Sequence, residues 1–356
     1  MVVMPLMVML LMVMASMVVP AIVMAFLNRV AGCLLLLGLW TLTMGQMPAR
    51  GDLRVLILSD FNGAYGATDY APSVDRVIAL AQQWQVDAFV SAGDVIAGQS
   101  SSLPAASFPQ MWQAFDEHVR APLEQAGIPL MVAMGNHDSS SQRSQGNYVF
   151  ARERDAATTY WQPIIATSAH YLDTRDAPFH TSLLLNGVFF AVWDASSATI
   201  TQGQLEWLAA ELARPAVVNA RARILVGHLP LFGVSASKNQ PGEVLNNGAA
   251  LATWLTAQGI DLYISGHHAA YYPAQYPVQY GNMYLLHTGG VGGRQLIGSD
   301  APSPSTATLL DIDFDMTESA ILREMTFDLA TMTIIDPRTL PASITSVNGT
   351  VQRWTE

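Results

Sequence analysis

Five short apolar runs along the chain are each followed at once by aspartate, asparagine or histidine, and this repeated order constrains the fold more than any other feature. The clusters are, in order, Ser59-Asp60-Phe61-Asn62, Ala92-Gly93-Asp94, Gly135-Asn136-His137-Asp138, Val226-Gly227-His228 and Ser265-Gly266-His267-His268-Ala269. Helical patterns separate the runs, so the sequence predicts strands connected through helices in a layered α/β fold. The carboxyl ends of such strands form a crevice for ligands, and we expect the clusters to meet there.

Hydrophobic spacing predicts most of the regular elements. A helix is predicted to begin near Pro72, because Val74, Val77, Ile78 and Ala81 then share one face. Another apolar helical stripe runs from Phe108 to Val119, and a further helix is predicted at 247–258. Strands are predicted at 53–58, 88–92, 130–134, 181–185, 188–193, 223–226, 261–264, 283–287, 306–314 and 319–328.

Three local patterns refine this outline. Asn186-Gly187 tolerates positive φ at both central positions and predicts a two-residue hairpin turn. Thr201 and Gln204 match a capping box at the start of a helix. Residues 139–179 show no clear periodicity, and we interpret them as a lid or a substrate-facing insertion.

The first 50 residues read as a leader and not as part of the folded domain. Arg29 is the only charged residue before Arg50, and residues 34–43 are almost entirely apolar. Starting from Met24, the order of a basic residue, an apolar stretch and small residues is typical of a secretory signal, which suggests an over-extended start. The alternative is an uncleaved membrane anchor, since the apolar runs approach the length that spans a bilayer.

Cysteine content and charge restrict the environment and the partners. Cys33 is the only cysteine and lies in the leader, so the mature chain would hold no disulfide, which is compatible with a periplasmic or extracellular location. Removing residues 1–50 takes away two arginines and no acid, which leaves 15 bases and 28 acids. Such an acidic chain is not expected to bind a nucleic acid duplex. Contact with a membrane is expected only through an uncleaved leader.

Taken together, the five clusters resemble the calcineurin-like metallophosphoesterases, the group that includes purple-acid-phosphatase-like enzymes. The pattern of that family reads Asp-x-His, Gly-Asp, Gly-Asn-His-Asp/Glu, Gly-His and Gly-His-x-His. The resemblance covers residues 53–293 and implies a β-sandwich flanked by helices, with ligands at the carboxyl ends of strands. The predicted organisation is a leader at 1–50, a metallophosphoesterase domain at 51–300, and C-terminal strands at 301–356 that complete the same domain.

The resemblance implies a metal centre with two positions that share Asp94. One position would be formed by Asp94, Asn136, His228 and His267, a set of oxygen and nitrogen donors suited to manganese, iron or zinc. The other would receive Asp60 and Asp94 together with Asn62. Two metal ions in such a centre normally activate a water molecule and clamp the phosphoryl oxygens.

Two residues depart from the family pattern, and both belong to the second position. Asn62 stands where the first histidine is expected, and Ala269 stands where the last one is expected. The second position is therefore poor in ligands, and manganese, magnesium or calcium would suit its oxygen donors better than zinc. Three ways of replacing the missing ligands are open: Asn62 is itself a ligand, Tyr65 or Tyr70 reaches the ion, or His268 turns inward.

The resemblance also implies catalytic roles for two neighbours of Asn136. His137 would contact the phosphoryl group and donate a proton to the leaving group, and Asp138 would orient His137. Other residues have weaker claims: His287 and Arg294 could line the cleft, and substrate contacts are conceivable for Asn147, Tyr148, Tyr271 and Tyr272. Three histidines outside the clusters are expected to have no special role, namely His118, His170 and His180.

The leading functional hypothesis is an exported phosphomonoesterase or phosphodiesterase that acts on a small phosphorylated substrate through metal-activated water. Ala269 supports a rival hypothesis, in which a catalytically impaired member of the family binds metal or phosphoryl groups. A third hypothesis gives the protein an envelope role that depends on the leader and not on the cleft.

Overall fold

The strands account for much of the regular structure in this computed structural model, which describes residues 49–168, 170–278, 281–314 and 320–354. They are β1 (Leu53–Ile57), β2 (Ala88–Ser91), β3 (Leu130–Val132), β4 (Arg143–Ser144), β5 (Asn147–Tyr148), β6 (Tyr171–Asp176), β7 (His180–Leu185), β8 (Val188–Val192), β9 (Ala222–Val226), β10 (Leu262–Ser265), β11 (Tyr272–Val278), β12 (Gly281–His287), β13 (Thr306–Phe314), β14 (Ala320–Asp328), β15 (Thr333–Ile334), β16 (Ser343–Ser346) and β17 (Gly349–Arg353).

The helices lie between and after these strands. They are α1 (Pro72–Ala81), α2 (Ser107–Phe115), α3 (Ala121–Gln125), α4 (Asn136–Ser139), α5 (Ala151–Ala166), α6 (Gln202–Leu212), α7 (Pro215–Val218) and α8 (Gly248–Ala257). A π-helical segment, Asp116–Arg120, joins α2 to α3, and short 3-10 turns occur at Ala236–Lys238 and Pro337–Thr339. Among the described residues, no helix combines the length and apolar character needed to cross a bilayer.

Residues 51–356 form one compact unit built on two large sheets. The first sheet has the strand order β15-β14-β13-β1-β2-β3, and the second has the order β16-β17-β11-β12-β10-β9-β8-β7-β6. In the first sheet β1, β2 and β3 are parallel, and in the second β8, β9, β10 and β12 are parallel. Each sheet therefore aligns the carboxyl ends of several strands.

The core follows from the alternation of side chains along each strand. Val55 of β1 and Ile224 and Val226 of β9 belong to one buried cluster, which contains residues from both sheets. Leu225 of β9 points to the opposite face and joins a second cluster with Leu208 and Leu255 of the helices α6 and α8. Helices therefore cover the outer face of the nine-stranded sheet, while its inner face packs toward the first sheet.

Most predicted elements are confirmed, including the α/β layered fold. The four apolar residues of α1 are all buried. Asn186 and Gly187 both have positive φ, 49° and 83°, as the predicted hairpin turn requires. Thr201 and Gln204 form the capping box of α6. The predicted leader, apart from its last two residues, lies outside the described residues, as does Ser319.

Residues 139–179 are more regular than their sequence pattern indicates, and their interpretation as a lid or a substrate-facing insertion stays a prediction. This stretch contains the hairpin β4–β5, the 16-residue helix α5 and the strand β6, which pairs with β7. The hydrophobic spacing did not predict α5, because the buried face of this helix includes Glu153 and Arg154 as well as apolar residues.

Candidate metal centre

The loops that follow five parallel strands meet at one point between the two sheets. Asp60, Asp94 and Asn136 follow β1, β2 and β3 of the first sheet, and His228 and His267 follow β9 and β10 of the second. All five residues are buried. Residues that are far apart in sequence are brought together because each strand delivers its cluster at the same edge.

Four donor atoms in this loop cluster lie close enough to share one cation. The Oδ1 atom of Asn136 lies 2.8 Å from Nε2 of His228 and 2.8 Å from Nδ1 of His267. These two imidazole nitrogens are 3.2 Å apart, and Oδ2 of Asp94 lies 3.3 Å from Nε2 of His228. One ligand atom from each of Asp94, His228 and His267 lies within 4.8 Å of the other two, which is close enough for the three residues to hold one metal ion.

The second nitrogen of each imidazole is already engaged, which fixes the tautomer that faces the centre. Nδ1 of His228 donates to the carbonyl oxygen of Ala92 at 2.7 Å. Nε2 of His267 lies 2.6 Å from a carboxylate oxygen of Glu243 and donates to it. Neutral rings in these tautomers turn their lone pairs toward Asn136 and Asp94, so acceptor atoms converge on one point and the residues fit a divalent cation.

The electrostatics of the centre favour positive charge at the same point. Burial would by itself raise the pKa of Asp94, but the charges of His228 and then His137 outweigh it and hold that pKa well below its usual range. Burial would lower the pKa of His228, yet the charge of Asp94 raises it to about 9. Burial lowers the pKa of His267 to about 4, which keeps this ring neutral. A cation beside Asp94 would take the place of the proton that His228 otherwise holds.

Glu243 and Lys238 were not identified from the sequence. The ammonium group of Lys238 lies 2.7 Å from Oε2 of Glu243 and 3.1 Å from Nε2 of His267. Both residues come from the segment between β9 and α8, for which the sequence predicted no regular element, and Lys238 lies in its 3-10 turn. The sequence contains one feature that could have drawn attention to Lys238: it is the single lysine in a chain with 16 arginines.

The side-chain amide of Asn136 is also oriented by a partner outside the clusters. Its Nδ2 donates to Oε1 of Gln99 at 2.6 Å, which turns Oδ1 toward the imidazoles. The backbone N–H of Gln99 in turn donates to the carboxylate of Glu153 on α5, at 3.0 Å. The helix that the sequence did not predict therefore supports the orientation of a candidate ligand.

Three candidate ligands have a backbone conformation that is rare outside glycine. The φ angles of Asp60, Asp94 and His267 are 52°, 55° and 65°. Such left-handed residues cost free energy, and they concentrate at functional sites where the surrounding structure holds them in place.

Glycine is required at one point where two loops come close. A Cβ atom on Gly135 would lie 2.2 Å from Oδ1 of Asp94 and 2.3 Å from its backbone nitrogen. The φ angle of Gly135 is −87°, so the need for glycine comes from this close approach and not from an unusual turn.

Asp138 has a different role from the one predicted. Its carboxylate accepts hydrogen bonds from the backbone N–H groups of Asp94, Val95, Ile96 and Gly135. The orientation of His137 comes instead from the carbonyl oxygen of Gly98, 3.1 Å from Nδ1 of the ring. Burial, reinforced by the charge of Asp94, raises the pKa of Asp138 to about 6. Asp138 therefore fixes the loop that carries Asp94 and is not the partner of the His137 ring.

The second predicted metal position holds fewer donors. Oδ1 of Asp60 accepts from the backbone N–H of His267 at 2.6 Å, whereas its buried Oδ2 atom has no hydrogen-bond partner. Burial raises the pKa of Asp60 to about 6. The backbone N–H of Asn62 donates to the carbonyl oxygen of Asp94 at 3.2 Å, which places this residue beside the centre. Ala269 is buried there with a φ of 42° and supplies no ligand atom.

The proposed compensation by His268 is contradicted. Its Nδ1 accepts from the backbone N–H groups of Val234 and Ser235, and its Nε2 donates to the carbonyl oxygen of Glu243. Burial holds the pKa of His268 well below its usual range. A ring that is bonded at both nitrogens inside the core is not available to turn toward the second position.

The two tyrosines are placed differently. The hydroxyl group of Tyr70 donates to the carbonyl oxygen of Val95 at 2.7 Å. The ring of Tyr65 is stacked on the ring of His137.

The residues with weaker claims divide into buried and exposed groups. Tyr271 and Tyr272 are buried, and their hydroxyl groups donate to Glu324 and to the carbonyl oxygen of Pro341. His287 is also buried. Arg294 is exposed, and its guanidinium group donates to the carbonyl oxygen of His267 at 3.0 Å. Asn147 and Tyr148 lie in the β4–β5 hairpin.

The histidines outside the clusters have separate surroundings. His118 pairs with Asp75, and the ring of His180 stacks on Trp207. His170 is exposed. His118 therefore takes part in a local pair with a carboxylate, and His180 takes part in local ring packing.

Comparison with known families gives one match to the sequence. A family model described as calcineurin-like phosphoesterase matches residues 53–271, a range that holds all five clusters. No curated protein matches the chain.

Comparison with solved structures gives likenesses of low sequence identity. The purple acid phosphatase PPD1 from yellow lupin (Lupinus luteus) seeds has a TM-score of 0.57 and 15% identity, over 82% of this chain and 54% of that one. This chain therefore spans about half the length of the lupin protein. GAP50, described as the anchor in the inner membrane complex of Plasmodium, has a TM-score of 0.48 and 14% identity, over 80% and 87% of the two chains. A dimetal phosphatase from Danio rerio has a TM-score of 0.47 and 14% identity, over 77% and 95%.

Proposed function

The chain belongs to the calcineurin-like phosphoesterase family, and from this premise we propose that it is a phosphoester hydrolase that works with one firmly held divalent cation. The observation that carries the proposal is the convergence of Asp94, Asn136, His228 and His267 on one point. Both imidazoles there have their other nitrogen engaged. These four residues would hold the cation, and manganese, iron or zinc suits their mixture of oxygen and nitrogen.

Held by these four residues, a divalent cation would supply Lewis acidity, which polarises a phosphoryl oxygen and activates water. The chain itself supplies the rigid frame. The carboxylate of Asp138 holds the backbone of residues 94–96, and Gln99 holds the amide of Asn136. Residues fixed in this way need little reorganisation during the reaction, which is the main source of electrostatic catalysis.

The proposal of one firmly held cation rests on the shortage of ligand atoms at the second position. Asp60 offers one carboxylate oxygen without a partner, but Ala269 offers no ligand and His268 is engaged elsewhere. A magnesium, manganese or calcium ion held there mainly by Asp60, Asp94 and water would bind weakly.

His137 is the residue proposed to donate a proton to the leaving group. Its Nδ1 donates to the carbonyl oxygen of Gly98, and its Nε2 lies 4.0 Å from Oδ2 of Asp94. The side chain is 22% exposed, so His137 lies beside the centre without being fully buried. When Nε2 also carries a proton, the imidazolium can transfer that proton to the oxygen that departs from phosphorus, and the neutral ring keeps its Nδ1–H on Gly98.

The test is turnover of a generic substrate by the chain loaded with manganese. We expect release of nitrophenol from p-nitrophenyl phosphate or its diester, and loss of this activity in the Asp94→Asn variant. Metal content is measured on the same samples. Bound metal without turnover of any monoester or diester would reject the hydrolase.

A second candidate function is binding of metal and phosphoryl groups without turnover, and Ala269 is the observation that favours it. The two functions separate in the same experiment. A binder would retain inorganic phosphate on the metal-loaded chain, as measured by calorimetry, while releasing no product.

A further inference from the structure

An exposed aromatic ring lies against the proposed proton donor. The rings of Tyr65 and His137 are stacked, with centroids 5.4 Å apart and planes 23° from parallel. Tyr65 is 62% exposed, the highest value among the large hydrophobic side chains that are exposed in the described part of the chain. His137 lies on one side of the tyrosine ring, and the larger part of the Tyr65 surface remains exposed.

The loop that carries Tyr65 is held in place beside the centre. The backbone N–H of Gly66 donates to the carbonyl oxygen of Ala97 at 2.7 Å. Nearer to β1, the N–H groups of Phe61 and Asn62 both donate to the carbonyl oxygen of Asp94 at 3.2 Å. Tyr65 is thus tied on both sides to the loop that carries a candidate ligand, and its ring has a defined position relative to His137.

We propose that Tyr65 forms a subsite for the leaving group, and that the preferred substrates are phosphoesters whose leaving group carries a flat aromatic ring, such as an aryl or a nucleoside group. This inference rests on the proposed function, because it is the proton donor His137 that fixes where the leaving group lies. A ring attached near the departing oxygen would lie next to His137 and would cover the open part of Tyr65. Stacking of two rings needs no additional positive charge, which suits a chain with a formal charge of −11.

The first experiment compares two substrates of equal size and similar leaving-group acidity, 2-phenylethyl phosphate and 2-cyclohexylethyl phosphate. For the manganese-loaded chain we expect kcat/KM to favour the aromatic ester, and Tyr65→Ala to reduce this preference by about 2- to 10-fold, the size of one aromatic contact. Tyr65→Phe keeps the ring and is expected to keep the preference. An equal loss for both esters in Tyr65→Ala would show that the tyrosine only positions His137, and would overturn the inference.

The second experiment does not depend on turnover. Binding of 2-phenylethylphosphonate and 2-cyclohexylethylphosphonate to the manganese-loaded chain is measured by calorimetry, again for the parent, Tyr65→Ala and Tyr65→Phe. A preference for the aromatic phosphonate that disappears only in Tyr65→Ala would support the subsite even if no ester is hydrolysed. The subsite is therefore tested independently of the proposed hydrolase activity. Equal affinity of the parent for both phosphonates would reject the subsite while leaving the hydrolase standing.

Discussion

The Oε2 atom of Glu243 lies 2.6 Å from Nε2 of His267, on the side of the ring that faces away from Asn136. A carboxylate in this position fixes the tautomer of a ligating imidazole and makes it a stronger donor, and removing such a partner typically lowers metal affinity by about 10- to 100-fold. We expect a loss of this size for Glu243→Gln in titrations with zinc or manganese. Glu206→Gln, an exposed change on α6, is the matched control. Equal affinities in the two variants would contradict the role of Glu243.

Restoring a histidine at position 269 is expected to raise the metal content from one ion per chain to two. The new imidazole would supply a nitrogen donor at the position where Oδ2 of Asp60 is buried without a partner. Elemental analysis of Ala269→His after dialysis against manganese measures this directly. A content that stays at one ion would mean that the second position is closed to metal in this chain.

Replacing His137 is expected to lower kcat while leaving metal affinity unchanged. The reason is that His137 is proposed to transfer a proton, a role worth about 10²- to 10⁴-fold, and is not among the four ligands. The loss in His137→Asn should be larger for an alkyl phosphate than for p-nitrophenyl phosphate, since nitrophenolate departs without a proton. His118→Asn, at an exposed pair with Asp75, serves as control. A uniform loss across leaving groups would argue against proton donation.

The stability of the chain is expected to fall as the pH rises from about 4.5 to about 7, in part because of Glu153. Burial raises the pKa of Glu153 from 4.5 to about 7, so over this range the folded chain keeps a proton that the unfolded chain has released. Glu153→Gln cannot release a proton and keeps an oxygen for the N–H of Gln99. Urea denaturation at pH 5 and pH 8 should show a pH-dependent loss smaller by about 2 kcal/mol in this variant.

Asp155→Asn, an exposed carboxylate on the same helix, is the control for that comparison. An identical pH dependence in the parent and in Glu153→Gln would show that the carboxyl is already ionised in the folded chain at pH 5.

The strands that line the centre could be predicted because each is a short apolar run that ends in a polar cluster. The strand β11 could not, since Pro273 and Pro277 argue against a strand in the middle of a sheet. The structure accommodates both prolines because pairing with β17 is limited to Ala274 and Gln275, which lie between them. This solution depends on the register of a distant strand, and no local pattern encodes it.

The residues of the candidate site also fall into a group that could be predicted from the sequence and a group that could not. Asp94, Asn136, His228 and His267 follow predicted strands, and parallel strands in a layered sheet deliver their ends to a common edge. Glu243 and Gln99 come from irregular loops, and their contacts with the centre exist only in the folded chain. The role of Asp138 was mistaken because sequence proximity to His137 suggested a side-chain pair, whereas the carboxylate caps the backbone of a loop 42 to 44 residues away.

The ligands of the centre come from both large sheets, two from loops of the first and two from loops of the second. A cation bound there would add a further link between two layers that are already joined at this edge by the hydrogen bonds of His228 to Ala92 and of His267 to Asp60. Because such an ion binds the folded chain and not the unfolded one, resistance to heat should rise with the free metal concentration around the protein. Metal supply would then govern how long the protein survives as well as how fast it works.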